Sequence, residues 1–170
     1  MTEPLTLTKL IILYMLDQVD FPLSKAQIFD FVLEKEYTNY FTLQQATCEL
    51  ADSGFVSSES LHSVTLLTLT DAGRDTLRYF HGRISEGIKA DVSAYFNENK
   101  VELHNEVSVT SNYYRIGAGE YVAELSAREK NSELIGLKLI VPSEEAASTI
   151  CENWKKQNAD IYSYILGNLL

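Results

Sequence analysis

The residues best suited to reading another molecule lie on one face of a predicted helix that ends at Ser53. When Leu43 is placed on the buried side of this helix, the residues on the outer side are Gln44, Gln45, Cys48, Glu49 and Asp52. A glutamine amide can form two hydrogen bonds with an adenine edge in the major groove. Thr42 and the amino end of the helix could hold a phosphate. The pattern predicts that this helix contacts duplex DNA through Thr42, Gln44, Gln45 and Cys48.

Two further positions extend this predicted DNA interface. Lys25 falls in the first turn of the preceding predicted helix, where backbone phosphates often approach a helix-turn-helix protein. His62 lies in a short tip, residues 61–63, between two predicted strands. We therefore expect Lys25 and His62 to contact the DNA beside the third helix.

The charge of the chain argues against strong DNA binding. Residues 1–82 hold five cationic and eleven acidic residues, a net charge of −6, and the outer face of the third helix has two carboxylates and no cation. Lysine and arginine contacts to phosphates normally dominate affinity for DNA. Arg74 and Arg78 are expected to pair with Asp71, Asp75 or Glu86 rather than with phosphate. A solvated acidic face on a protein-interaction module therefore stays an open alternative.

No pattern of residues in the chain is typical of catalysis. Cys48 and Cys151 form no CxxC pair, and the three histidines have no metal-binding spacing. The chain has no GxSxG elbow, SxxK motif or glycine-rich phosphate loop. We expect no enzyme activity, no cofactor and no metal. Four aromatic residues of the second half are expected in a core, with a small-molecule pocket as the alternative: Tyr113, Tyr114, Tyr121 and Trp154.

The elements that position the candidate residues occupy residues 1–82. Apolar residues almost all round predict a first helix over residues 7–19. Capping boxes at Ser24–Gln27 and Thr42–Gln45 predict the starts of the second and third helices, and Gly54 ends the third. Residues 55–60 and 64–70 read as strands, and a helix follows through Phe80. This order predicts a winged helix-turn-helix.

The remaining residues, 83–170, predict a second module. A helix is expected over about residues 84–97, followed by three antiparallel strands with alternating apolar residues between residues 107 and 141. Acids after Pro142 begin a helix whose inward stripe ends at Trp154, and a last helix is expected from about Ile161. The whole chain is therefore predicted to be α+β, with a three-stranded sheet packed against helices.

Composition places the chain in a broad class. Of its 170 residues, 45% are hydrophobic and 22% are charged, the values of an ordinary globular protein, and the net charge is −10. The longest apolar run, Leu10–Leu16, is far shorter than the roughly 20 residues that span a bilayer. The amino terminus lacks the basic segment of a signal peptide. We expect a cytoplasmic protein that does not contact membranes.

Three segments carry a resemblance to a known family. They are Asn39-Tyr-Phe-Thr-Leu-Gln-Gln45, Gly136-Leu-Lys-Leu-Ile-Val-Pro142, and Ile150-Cys-Glu-Asn-Trp154 with Ile161-Tyr162 following. With them, nearly the whole chain resembles the bacterial domain-of-unknown-function family 4364, described as winged-helix transcriptional regulators. The resemblance implies a winged helix and a regulatory role, and it supplies no ligand or operator.

These observations together predict a DNA-binding transcriptional regulator that acts as a homodimer. The dimer is expected because the first and fifth helices are apolar enough to carry an interface. Two alternatives remain from the residues alone. The first is a winged-helix protein-interaction module that does not bind DNA, and the second is a small-molecule sensor whose output is assembly.

Overall fold

The computed structural model describes residues 3–60 and 64–170. These residues form six α-helices and two three-stranded antiparallel sheets, so the predicted α+β class is confirmed. The chain divides into two compact units, Met1–His104 and Asn105–Leu170. The division falls inside a helix rather than in a linker. No helix of the described residues combines the length and the apolar character needed to cross a bilayer.

The first unit begins with helices and a small sheet. Its elements are α1 (Glu3–Asp17), β1 (Leu23–Ser24), α2 (Lys25–Glu34), α3 (Tyr40–Asp52), β2 (Val56–Ser60), β3 (Thr65–Leu69), α4 (Asp71–Phe80), a 3₁₀ turn (His81–Arg83) and α5 (Glu86–Ser108). The sheet order is β1-β3-β2, with Leu23 opposite Leu67 and Val56 opposite Leu69. The two-residue β1, too short for sequence periodicity to reveal, thus ties the start of α2 to β3.

Helix α1 forms the centre of the first unit. All seven residues from Leu10 to Leu16 are buried, and the helix packs against α3, α4 and β3. The sequence reasoning that assigned this apolar helix to a dimer interface is therefore wrong. Its premise was that a small unit has too little core to cover α1, whereas neighbouring elements of the same unit cover it.

The second unit is a sheet with one long helix. Its strands are β4 (Val109–Gly117), β5 (Glu120–Glu129) and β6 (Ser132–Val141), and its helix is α6 (Glu144–Leu169). The strands form an antiparallel meander in the order β4-β5-β6, as predicted. The core joins Ala123 and Leu125 of β5 to Cys151 and Trp154 of α6. The Trp154 indole is 1% exposed, and its Nε1 donates a hydrogen bond of 3.1 Å to the carbonyl of Ser126.

Several predicted element boundaries are wrong. The two helices expected after Pro142 are one continuous helix, because residues 155–160 contain no glycine or proline that would break it. Helix α5 continues to Ser108, well past the predicted end at residue 97. Helix α3 begins at Tyr40, earlier than Thr42, for a reason that bears on the candidate site.

Candidate nucleic-acid interface

The amino end of α3 is capped by Asn39 and not by Thr42. The Asn39 Oδ1 accepts a hydrogen bond of 2.9 Å from the backbone amide of Thr42. Asparagine is the stronger cap, so the helix starts one residue after it. The predicted Thr42–Gln45 capping box is therefore wrong, and Thr42 lies within the first turn with its amide already bonded. A phosphate at this helix end would meet the amides of Tyr40 and Phe41 first.

The outer face of α3 brings together Gln44, Gln45 and Cys48. Gln45 and Cys48 are exposed, and Gln44 is half-buried. Gln44 Nε2 lies 3.6 Å from Cys48 Sγ, and its Oε1 has no donor among the described residues. The amide of Gln44 thus has an unfilled acceptor beside an exposed thiol.

Gln45 is linked through Glu49 to α1. Gln45 Nε2 donates to Glu49 Oε1 at 2.9 Å, and Lys9 Nζ of α1 lies 2.5 Å from Glu49 Oε2. The hydrogen bond from Lys9, followed by that from Gln45, lowers the pKa of Glu49 below its ordinary value. The outer face of α3 has no cation of its own, but Lys9 neutralises Glu49 from the neighbouring helix. Asp52 is the carboxylate of this face that forms no ion pair within residues 3–60 and 64–170.

Lys25 stands at the start of α2 with its ammonium group available. Its Nζ lies 5.3 Å from the centre of the Phe29 ring, and Lys25 makes no ion pair within residues 3–60 and 64–170. It borders an open cavity of about 340 Å³ that also touches Tyr40 at the start of α3 and the segment leading into β3. The lining residues are Ser24, Lys25, Ala26, Phe29, Tyr40, Val64 and Thr65. The fold thus groups Lys25 with the start of α3.

The start of α2 is held firmly in place. Ser24 Oγ accepts from the amide of Gln27 at 3.1 Å, and Gln27 Oε1 accepts from the amide of Ser24 at 2.9 Å, which confirms the first predicted capping box. Gln27 Nε2 also donates to the carbonyl of Leu103 on α5, at 3.2 Å. Lys25 therefore projects from a rigid helix end.

His62 lies outside the described residues. The predicted tip at residues 61–63 contributes no geometry to the site, which rests on α2, α3 and α1.

The arginines of α4 pair with acids, as predicted. Arg74 lies 3.2 Å from Asp71, and Arg78 lies 3.6 Å from Asp75. Arg74 also approaches Asp17 of α1 at 3.4 Å. These exposed pairs leave the two guanidinium groups engaged.

Sequence reasoning missed the aromatic pair at the start of α3. Tyr40 is 54% exposed and Phe41 is 82% exposed, and the Tyr40 ring meets Phe29 edge-on at 5.7 Å. The available signal was that neither residue fits the buried stripe of α3. An exposed phenylalanine next to the polar face gives this surface an apolar component that a DNA groove alone does not require.

Cys151, Tyr113 and Tyr114 of the second unit have structural contacts. Cys151 is buried, and burial raises the pKa of its thiol. Tyr113 packs against the core around Trp154, and Tyr114 donates a 2.7 Å hydrogen bond to Glu124. The described residues contain no group of three histidine, cysteine or acidic side chains that could hold a metal ion.

Comparison with known proteins identifies the family of the chain. A family model described as domain of unknown function (DUF4364) matches residues 8–169. The chain belongs to this family, which confirms the resemblance seen in its sequence. No curated protein and no solved structure matches the chain.

Proposed function

We propose that this protein is a DNA-binding transcriptional regulator whose first unit is a winged helix-turn-helix. The observation that carries the proposal is the order α1-β1-α2-α3-β2-β3 combined with the sheet order β1-β3-β2. In this arrangement α2 and α3 form the helix-turn-helix, and the paired strands β2 and β3 form the wing. A regulator of this kind acts in the cytoplasm, beside the chromosome.

The proposed contacts follow from the positions of the side chains. Gln44, Gln45 and Cys48 face the major groove, and Gln45 reads base edges once its amide leaves Glu49. Lys25 contacts a backbone phosphate, since its ammonium group forms no ion pair with any acid in the described part of the chain. The contact predicted for His62 lies outside the described residues.

The electrostatics of this surface set the strength of binding. Few cations are free to replace counterions, so each subunit neutralises about two or three phosphates. The slope of log K against log salt is then shallow, roughly −2 to −3 per subunit. Affinity is modest, and two subunits bound together raise it.

We propose that the homodimer forms through α6, because α1 is covered within its own unit. The end of α6 carries an apolar stripe at i, i+3, i+4 and i+7, formed by Tyr162, Ile165, Leu166 and Leu169. Leu166 is 36% exposed and Leu169 is 78% exposed, beyond the core that ends at Ile161. Two such stripes packed together would exclude water from both.

A protein-interaction module is the alternative, and Phe41 is the observation that favours it. An 82% exposed phenylalanine beside an acidic helix face suits an apolar partner surface with basic residues at its rim. In that case the winged helix is a scaffold, and Phe41 rather than Gln45 determines binding.

Gel-shift titrations of genomic fragments at low and moderate salt test the proposal. Lys25→Gln should weaken binding about threefold to tenfold and make the salt slope shallower by about one per subunit. Lys35→Gln is the matched control, because Lys35 is an exposed lysine just after the other end of α2. Equal binding by wild type, Lys25→Gln and Lys35→Gln would contradict the proposed interface. If wild type shifts no fragment even at low salt, the protein-interaction module is favoured.

A further inference from the structure

A second cavity of the first unit lies between α1, α3 and α4. Its volume is about 390 Å³, within the range of small-molecule sites. Its apolar lining consists of Leu10, Leu13, Leu50, Phe55 and Phe80. Leu10, Leu13 and Leu50 are buried and form the floor of the cavity, whereas Phe80 is 38% exposed at its edge. The cavity therefore offers an apolar interior that opens at one side.

Two ion pairs stand at the rim of this cavity, and they differ in exposure. Lys9, 13% exposed, is bound to Glu49. Arg83 is bound to Glu3 through one nitrogen, Nη2, which lies 2.9 and 3.1 Å from the two carboxylate oxygens. The Glu3 side chain is 78% exposed, and an exposed pair of this kind contributes little to stability. Arg83 can therefore exchange the carboxylate of Glu3 for another carboxylate at small cost.

We propose that this cavity binds a small amphipathic carboxylic acid. The apolar part of the ligand lies against the leucines, Phe55 and Phe80, and its carboxylate replaces that of Glu3 on Arg83. Charge complementarity selects the acid: the cation that can change partners is Arg83, while Lys9 stays bound to Glu49. An amine of the same shape would meet Arg83 with like charge.

The cavity is connected to the outer face of α3. Glu49, Leu50 and Ser53 of α3 line it, and Glu49 accepts the hydrogen bond from Gln45. A ligand in the cavity therefore alters the surroundings of Glu49 and changes how Gln45 is held. This regulatory consequence rests on the proposed DNA-binding function, whereas ligand binding itself does not.

Titration calorimetry of the full chain without DNA tests the site. The probes are decanoate and 4-phenylbutanoate, with 4-phenylbutylamine as the cationic match to the second acid. Ligands with roughly 12 non-hydrogen atoms should bind with Kd of about 0.1 mM. The amine should bind at least about tenfold more weakly than the acid.

Three variants locate the binding. Thr76→Phe fills the cavity from α4 and should abolish acid binding. Within the described residues the Thr76 hydroxyl donates only to the carbonyl of Ala72, so its removal breaks no contact between elements. Arg83→Gln should weaken acid binding about threefold to tenfold and reduce the preference over the amine. Arg78→Gln is the matched control, an exposed α4 arginine that does not line the cavity. Because Arg83 is exposed, its variant tests the site even where Thr76→Phe fails to fold.

The outcomes separate the site from its regulatory role. If neither acid binds wild type below about 2 mM, or if Arg83→Gln binds both acids as wild type does, the proposed site is wrong. The side-chain amide resonances of Gln45 should shift on addition of acid to wild type and not to Thr76→Phe. Acid binding without a shift of the Gln45 resonances would overturn the coupling of the cavity to α3. If the protein does not bind DNA, neither the calorimetry nor the resonance measurement is affected.

Discussion

Replacing Gly73 by alanine should destabilise the protein, although alanine is the better helix former. Gly73 lies in the first turn of α4, where its amide donates to the Thr70 side chain at 3.1 Å. A Cβ at this position would lie 2.0 Å from the carbonyl oxygen of Phe55 and 2.9 Å from Leu69 Cδ1. The obstacle is backbone, which cannot rotate away as a side chain would.

The expected loss is about 2 kcal/mol. Alanine gains about 1 kcal/mol over glycine in a helix. Against this, relief of the contact requires a shift of more than about 1 Å, and overpacking of this kind costs roughly 1–3 kcal/mol. The shift also strains the hydrogen bond of 3.2 Å from the Thr70 amide to the Phe55 carbonyl, a further loss of about 1 kcal/mol.

Gly87→Ala is the matched control. Gly87 is an exposed residue in the first turn of α5, where the nearest atom to an added Cβ is 3.9 Å away. This variant should gain up to about 0.5–1 kcal/mol. Urea unfolding followed by far-UV circular dichroism compares both variants with wild type. If Gly73→Ala is as stable as wild type, the close approach of α4 to the segment before β2 is wrong.

Three further predictions concern other parts of the molecule. Trp154→Ala should cost about 3–5 kcal/mol in thermal or urea unfolding, because it empties a buried site, and a loss under about 1 kcal/mol would show that the indole is not core. Wild type should be more stable than Glu49→Gln at neutral pH, and this difference in stability should vanish as the pH falls through the lowered pKa of Glu49. The reason is that a carboxyl with a depressed pKa stabilises the fold only while it is ionised. Urea unfolding of both proteins at pH 7 and pH 3 measures the difference. Light scattering should show that wild type is a dimer, whose interface we expect to bury more than about 1,000 Å². The double variant Leu166→Glu, Leu169→Glu should be a monomer, whereas the control Ser163→Glu should stay a dimer. A wild-type monomer at micromolar concentration would contradict the proposed dimer.

Local signals in the sequence predicted the parts of the fold that local interactions determine. The Ser24–Gln27 capping box is present because its hydrogen bonds join residues three apart. Gly54 has the left-handed φ of +76° expected after the end of α3. The alternation of apolar residues in β5 likewise agrees with the structure, in which Ala123 and Leu125 share one face and pack with Trp154.

Interactions between distant residues were beyond the sequence. Nothing near Glu49 reveals that Lys9, on another helix, neutralises it, so the outer face of α3 looked more acidic than it is. The start of α3 was misplaced for a local reason, because Asn39 and Thr42 can both cap a helix and Asn39, the stronger cap, begins it. The choice between DNA and protein as partner depends on Phe41, which lay outside the predicted helix because that helix was expected to begin at Thr42.

Selection of bound sequences from a random duplex library, at low salt, tests the central claim most directly. The proposed function predicts that wild type enriches a defined motif in two related halves, one for each subunit. Gln45→Ala should lose specificity at one position of each half while its non-specific affinity stays nearly unchanged, because glutamine reads base edges and carries no charge. Enrichment of no motif by wild type, or of the same motif by both proteins, would contradict the assignment of α3 as the helix that reads DNA.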